Sequence, residues 1–359
     1  MKWWYFLLIA LSIGLFPTNW LRPLSSSSEY VAPMNTMDPE VLLRQNVYTV
    51  LQNLGDSAPP HVVTDSSATY ASKQRGRDLF FKGMTIGPDG STTPVQSKMF
   101  KCWACHNTVR EDPDLRTYDP EARLQYAKEH GIPLLPATTV YGIVNRQSFY
   151  NGDWSKKYGP DIVAKVRHNL REAIQLCAIG CAQGRPLKDW EIESILMFFW
   201  DLQYKMSDLD WTADELAFVH RALQRPHDHA MRDSAIQLIK SKYAPYSPAT
   251  FNPPPADRKA GYGLQGRPEV GRDVYRMSCL HCHKNGRFAY LYLDEDPFSL
   301  KLLRKHFPRY SRYSAYQVIC WGTEPLPGKR FYMPQYTKQR MSPQQIEDLR
   351  AYLEQQAQP

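Results

Sequence analysis

The chain has 359 residues and a formal net charge of +8, from 44 Lys and Arg against 36 Asp and Glu. With 43% hydrophobic and 13% aromatic residues it is not a disordered chain, and it is long enough for two domains with cores of their own or three small ones. The moderate positive excess suits an anionic substrate, an acidic redox partner or an anionic membrane surface, and with no dense Lys/Arg run or binding motif nucleic acid is not expected as a partner.

At the N-terminus, Lys2 is followed by an apolar run from Trp3 to Phe16 and then by Pro17 and Arg22. A short apolar stretch behind a positive start has the form of a secretory signal. Trp3, Trp4, Tyr5 and Trp20 would also sit well at two membrane interfaces, and out to Leu21 the segment approaches the roughly 20 residues that span a bilayer. Residues 1–22 are therefore expected to be a membrane anchor or a signal peptide, the anchor being preferred. Both place the remainder outside the cytoplasm, in the periplasm or an equivalent space.

A short helical candidate follows at 38–54, and then the same order of events occurs twice. The first unit, 70–205, opens with Gly76-Arg77-Asp78-Leu79-Phe80, carries Cys102-Trp103-Ala104-Cys105-His106 and closes on a helix near 187–200. The second, 266–359, opens with Gly271-Arg272-Asp273-Val274-Tyr275, carries Cys279-Leu280-His281-Cys282-His283 and closes near 341–353. Trp190, Ile192, Ile195 and Phe199 recur at helical spacing, as do Ile346, Leu349, Tyr352 and Leu353. Ser342 before Pro343 predicts an N-cap followed by proline in the first turn. The first unit carries an insertion at 82–100. Between the units, 206–265 is expected to be a helical and Pro-rich linker, with helices at 213–223 and 231–242 and the run Pro253-Pro254-Pro255. The expected fold is mainly α, with two tandem cytochrome c-like haem domains.

The repeated Cys-x-x-Cys-His carries that expectation. Two thiols one helical turn apart can add to the two vinyl groups of a haem, and the next histidine then lies under the iron. Cys102, Cys105, Cys279 and Cys282 are thus the expected attachment points of two covalent haem c groups, with His106 and His283 as iron ligands. Two Cys-x-x-Cys pairs could instead build a four-sulfur zinc site. The histidine directly after each pair, the export signal and the helical flanks favour haem.

The other axial ligand sets potential and access to the iron. Met333-Pro334, just before the last helix, resembles the Met-Pro of class I c-type cytochromes, and the resemblance implies that Met333 ligates the second iron. No methionine stands between His106 and Leu187 in the first unit. In its place, Ile174-Gln175-Leu176-Cys177-Ala178-Ile179-Gly180-Cys181-Ala182-Gln183-Gly184-Arg185-Pro186-Leu187 resembles the haem-ligand segment of dihaem thiosulfate dehydrogenases and related sulfur-oxidising cytochromes. There a cysteine ligates iron, and Cys177, Gly184 and Leu187 fall on the cysteine, glycine and leucine of that pattern. The resemblance covers roughly 76–200 and implies Cys177 as ligand of the first iron, and as catalytic residue if the chain is an enzyme. Gly180, Cys181 and Gln183 depart from the family's usual Arg, Ser and Asn, and the lost arginine puts a thiosulfate-type substrate in doubt.

Alternatives stand beside these expectations. Cys177 and Cys181 could pair with each other or fill core space, and Cys181 or His168 could ligate instead. Arg167, Arg171 and Arg185 could stabilise a thiolate or simply face solvent. Cys320 occupies the second unit's counterpart of Cys177, and His227 and His229 read as exposed polar residues. The expected function is electron transfer outside the cytoplasm between a membrane or periplasmic redox enzyme and another carrier, with a redox protein as partner. The alternative is a thiosulfate dehydrogenase-like oxidoreductase acting on a sulfur anion at a Cys-ligated haem. A dihaem peroxidase, the third possibility, lacks its motifs here.

Overall fold

The computed structural model describes residues 38–64, 69–323 and 333–357. The N-terminal segment 1–22 lies outside the described residues, and no described helix is long and apolar enough to cross a membrane. The chain is mainly α; among the described residues there is no β-strand, only isolated bridges such as that between Ile86 and Thr92.

Helices α1 (Pro39–Arg44) and α2 (Val47–Asn53) come first, α1 capped by the Asp38 carboxylate accepting from the Glu40 amide. Helix α3 (Lys73–Lys82) starts where the Ser72 hydroxyl accepts from the Arg75 amide and stops at Gly83, whose φ of 72° suits glycine. Helix α4 (Pro120–His130) lies beyond the first Cys-x-x-Cys-His turn. The short helices α5 (Ser155–Tyr158), α6 (Pro160–Val166) and α7 (Leu170–Leu176) lead to Cys177, and α8 (Asp189–Asp201) closes the first unit. Helices α9 (Ala213–Leu223) and α10 (His229–Lys240) follow. The second unit holds α11 (Pro268–Val274), α12 (Leu280–His283), α13 (Pro297–His306), α14 (Ala315–Trp321) and α15 (Pro343–Gln356). Ser342 caps α15 as its sequence predicts: its hydroxyl accepts from the Gln345 amide while Gln345 reaches back to the Ser342 amide.

The repeat in sequence is a repeat in packing. Helix α3 crosses α8 at Gly76, where an added Cβ would lie 1.8 Å from the Ser194 carbonyl oxygen. Helix α11 crosses α15 at Gly271, where a Cβ would lie 1.9 Å from the Asp348 oxygen. Glycine at both crossings lets backbone meet backbone, and in each unit this pair carries the apolar core, with Leu79, Phe80, Ile195 and Leu196 in the first and Val274, Tyr275, Leu349 and Leu353 in the second.

The segment expected as a linker carries more than connection. Val219 and Leu223 of α9 and Ala235, Ile236 and Ile239 of α10 pack on Leu42, Val47, Val50 and Leu51 of α1 and α2. These four helices share a third apolar core with Tyr204 and Met206.

The two repeated units also touch directly. The Trp103 ring meets Phe288 edge to face at 5.1 Å and lies under the Arg287 guanidinium at 4.6 Å. The Leu134 amide donates to the Met277 carbonyl. Behind them, fully buried Arg340 of the second unit forks onto the Glu111 carboxylate of the first.

Candidate functional site

Cys102–Ala104 form a single tight turn, and the His106 amide donates to the Cys102 carbonyl, so both thiols and the imidazole sit on one turn. In the second unit a π-helical turn at Tyr275–Cys279 runs into α12 and does the same for Cys279, Cys282 and His283. Each histidine is oriented by a backbone carbonyl. His106 Nδ1 is 2.7 Å from the Thr138 oxygen, and His283 Nδ1 is 2.7 Å from the Leu291 oxygen. Nδ1 then carries the proton, which leaves Nε2 of each ring as a free donor to a metal. Burial pushes both histidine pKa values down, so the rings are neutral near pH 7, as a metal ligand must be.

Each motif opens on an apolar cavity. The first encloses about 1420 Å³, part of it open to solvent, between Phe80, Val140, Phe149, Leu170 and Leu187, with Cys102, Cys105, His106 and Cys177 on its wall. The second encloses about 540 Å³ and is lined by Cys279, Cys282, His283, Met333, Tyr336 and Leu349. Burial raises the thiols of Cys102 to about 11 and of Cys279 and Cys282 to about 12, so as free thiols they are neutral in these surroundings.

Cys177 begins a π-helical turn, Cys177–Cys181, that ends α7. Its sulfur is 4.0 Å from His106 Nε2, too far for a useful hydrogen bond. The two donor atoms thus face one another on the cavity wall, and His106 and Cys177 are the residues that would hold a haem iron there. The insertion at 82–100 braces this turn: Gln96 Nε2 donates to the Ala178 carbonyl, the Ser97 hydroxyl donates to the Ala182 carbonyl, and the Arg185 amide donates to the Gln96 carbonyl. Gly184 lies so close to Gln96 that a Cβ would fall 2.1 Å from its carbonyl oxygen. Cys177 and Leu187, two of the three positions carried over from the family, line the cavity, and the third, Gly184, is a close-approach glycine.

The alternatives to Cys177 occupy other places. Cys181 lines the cavity too, hydrogen-bonded to Cys177 and 3.1 Å from the Tyr158 hydroxyl. Those hydrogen bonds hold Cys181 down at about 6 despite burial, and the same pairing pushes Cys177 up. No disulfide joins them. His168 is exposed, with Nδ1 on the Gln147 carbonyl, and His227 and His229 are exposed on the surface. Cys320 is buried under Tyr262 in the second core and lines neither cavity. Arg171 and Arg185 are held by Glu193 and Glu191, away from the Cys177 sulfur. Met333 is pinned beside its cavity by Thr323, whose hydroxyl accepts from the Met333 amide and whose amide donates to the Met333 carbonyl.

Several contributors to the site carry no local signal. The Thr138 and Leu291 carbonyls act through backbone, and Gln96 and Ser97 act only because the insertion folds back. Trp103 alone, placed inside a motif, could have been singled out.

No family model, curated protein or solved structure matches the chain. The donor chemistry therefore rests on the residues themselves. No group of three or more His, Cys, Asp or Glu among the described residues converges as a metal site. Paired thiols on the wall of an apolar cavity, beside a neutral, carbonyl-oriented histidine, fit a covalently attached haem at each motif.

Proposed function

We propose that this chain is a dihaem c-type cytochrome that carries electrons outside the cytoplasm, between a membrane or periplasmic redox enzyme and another carrier. Cys102, Cys105 and His106 would hold one haem, with Cys177 as the second axial ligand. Cys279, Cys282 and His283 would hold the other, with Met333. Each group, when bound, supplies a reversible one-electron iron couple whose potential follows its axial ligands. A thiolate lowers the first potential and a thioether raises the second, so electrons would run from the first site towards the second.

The observation that carries the proposal is the contact between the motifs. The Cys282 sulfur lies 4.0 Å from the Ala104 carbonyl, and Cys105 and Cys282 pack in one apolar cluster with Phe100, Trp103 and Phe288. One cysteine from each motif thus packs against the same small apolar cluster. A chain built only to fold would have no reason to bring both motifs edge to edge. Net charge +8 favours an acidic partner.

A second reading, a thiosulfate dehydrogenase-like oxidoreductase, is favoured by one pair of observations. Cys177 faces His106 at 4.0 Å, and the first cavity, at about 1420 Å³, is far larger than the second, at about 540 Å³. The basic surface would gather a sulfur anion beside that site.

Intact mass of the exported protein tests the haem content: two haems are expected, and one after Cys279→Ala with Cys282→Ala. A mass without haem, or with zinc, sinks the proposal. Low-temperature EPR then separates the ligands. A low-spin thiolate-type signal that disappears in Cys177→Met assigns Cys177, and thiosulfate or tetrathionate turnover by the parent protein decides for the enzyme over the carrier.

A further inference from the structure

The residues after Met333 run between the two cavities. Met333, Tyr336 and Met341 line the second, whereas Gln335, Thr337 and Arg340 line the first. Pro334 lines both, so this stretch of chain is a partition between the two cavities. The first cavity therefore has one wall from the second unit, and that wall is its polar end. Thr138 and Ser247 stand beside it.

This end is electrically unbalanced. Arg123, Arg146 and Arg340 are all buried there, against two buried carboxylates, Glu111 and Asp112. Arg340 pairs with Glu111 and Arg123 with Asp112. Arg146, only 3% exposed, has no carboxylate within ion-pair distance among the described residues. Its contacts are hydroxyls, those of Thr138, Ser247 and Tyr204, and its Nε finds no partner. The Thr337 hydroxyl, 4% exposed and on the cavity wall, finds none either. A buried unpaired guanidinium is costly, and unsatisfied buried donors add to the cost. Both costs fall if an anion lies at this end of the cavity.

We propose that the end of the first cavity formed by Thr138, Ser247, Thr337 and Arg340, backed by Arg146, is a carboxylate-binding subsite completed by the second unit. The inference rests on haem attachment at Cys102 and Cys105, because its carboxylate has two sources. It belongs to the attached haem itself, through its acid side chains, or to a small free carboxylate entering beside the haem. In both cases Arg146 supplies the countercharge and Thr337 a directed hydrogen bond.

The test uses the full-length holoprotein, with intact mass confirming two haems in every variant, so that failed attachment is seen as failure of the cytochrome reading and not of the subsite. The midpoint potentials of both haems are measured in the parent and in Arg146→Gln, Arg146→Lys and the isosteric Thr337→Val. An anion that loses its countercharge favours the more positive, oxidised iron. The potential of the first haem should therefore fall in Arg146→Gln, recover in Arg146→Lys and fall less in Thr337→Val, with the second unchanged. Acetate is then titrated into each protein while the first-haem absorption and EPR are followed. A saturable response in the parent, lost in Arg146→Gln, assigns the subsite to a free carboxylate. A potential shift without an acetate response assigns it to the haem's own acid groups. An unchanged first potential with no acetate response, or equal shifts at both haems, overturns the proposal.

Discussion

Gln183 holds a φ of 51°, in the left-handed region that favours glycine and asparagine. Its side-chain nitrogen is also buried without a partner. Glutamine adopts such backbone at higher cost than glycine or asparagine. The strain lies six residues after Cys177, just beyond the turn Cys177–Cys181, and its cost is of order 1 kcal/mol. Gln183→Gly should therefore raise stability by about that amount in urea denaturation; a destabilised variant would show that the glutamine side chain holds the turn. His61 makes a different residue-scale prediction. Burial, which outweighs its bond to the Val144 carbonyl, lowers its pKa below 6.5, while Trp200 and Phe149 pack against its ring. The unfolded chain then binds a proton that the folded chain refuses, so stability is full above 6.5 and declines as pH falls towards the folded value. One group can impose at most about 1.4 kcal/mol per pH unit. Urea melts at pH 7.5 and 5.5 should show the decline, and His61→Gln should reduce it.

At the scale of elements, the two helix crossings permit a paired experiment. Alanine is a better helix former than glycine by about 1 kcal/mol, so in an exposed helix Gly76→Ala would stabilise. Here the new Cβ would fall 1.8 Å from the Ser194 oxygen, and in Gly271→Ala 1.9 Å from the Asp348 oxygen. Backbone cannot rotate away as a side chain can, and forcing the helices apart should cost about 3 kcal/mol or prevent folding. Each variant should fail first in its own unit, which, on the cytochrome reading proposed above, haem content per motif would report. Those crossings were legible in part. The paired Gly-Arg-Asp openings, the helical spacing in the closing segments and the Ser342-Pro343 start all announced local structure that caps and periodicity determine. Of the site, the motif residues and Cys177 were visible because their chemistry is tied to residue type and spacing. What stayed hidden depends on distant partners. The insertion at 82–100 gives no sign that Gln96 and Ser97 will brace the Cys177 turn. The helices at 213–223 and 229–240 show an apolar face but not that α1 and α2 will cover it. Residues 334–340 resemble any irregular approach to a helix, although they form one wall of the other unit's cavity.

For the molecule as a whole, the question is whether the two units are separable. Glu111 and Arg340 answer it, because each is about 2% exposed and they belong to different units. Arg340 also donates to the Leu135 carbonyl, while Glu111 accepts from the Thr139 amide and Asn107. Burial pushes the Glu111 carboxyl up, but the Arg340 guanidinium more than offsets this and holds it at about 2. A pKa depressed in the folded state means stability that is present above about 4.5 and lost as pH falls towards 2. Removing one partner leaves a charge buried and alone, at a cost of about 3–5 kcal/mol, whereas replacing both by apolar groups of similar size is often nearly neutral. Arg340→Met should therefore shift the urea midpoint of both units together, in a single transition, and Glu111→Leu added to it should restore most of the loss. On the cytochrome reading proposed above, the two haem spectra would report the units separately during the same titration. If the first unit keeps its midpoint while the second unfolds early, the units are independent domains that happen to touch. Coincident transitions would mean that the two units fold as one, as expected when Cys105 of the first and Cys282 of the second pack against one apolar cluster.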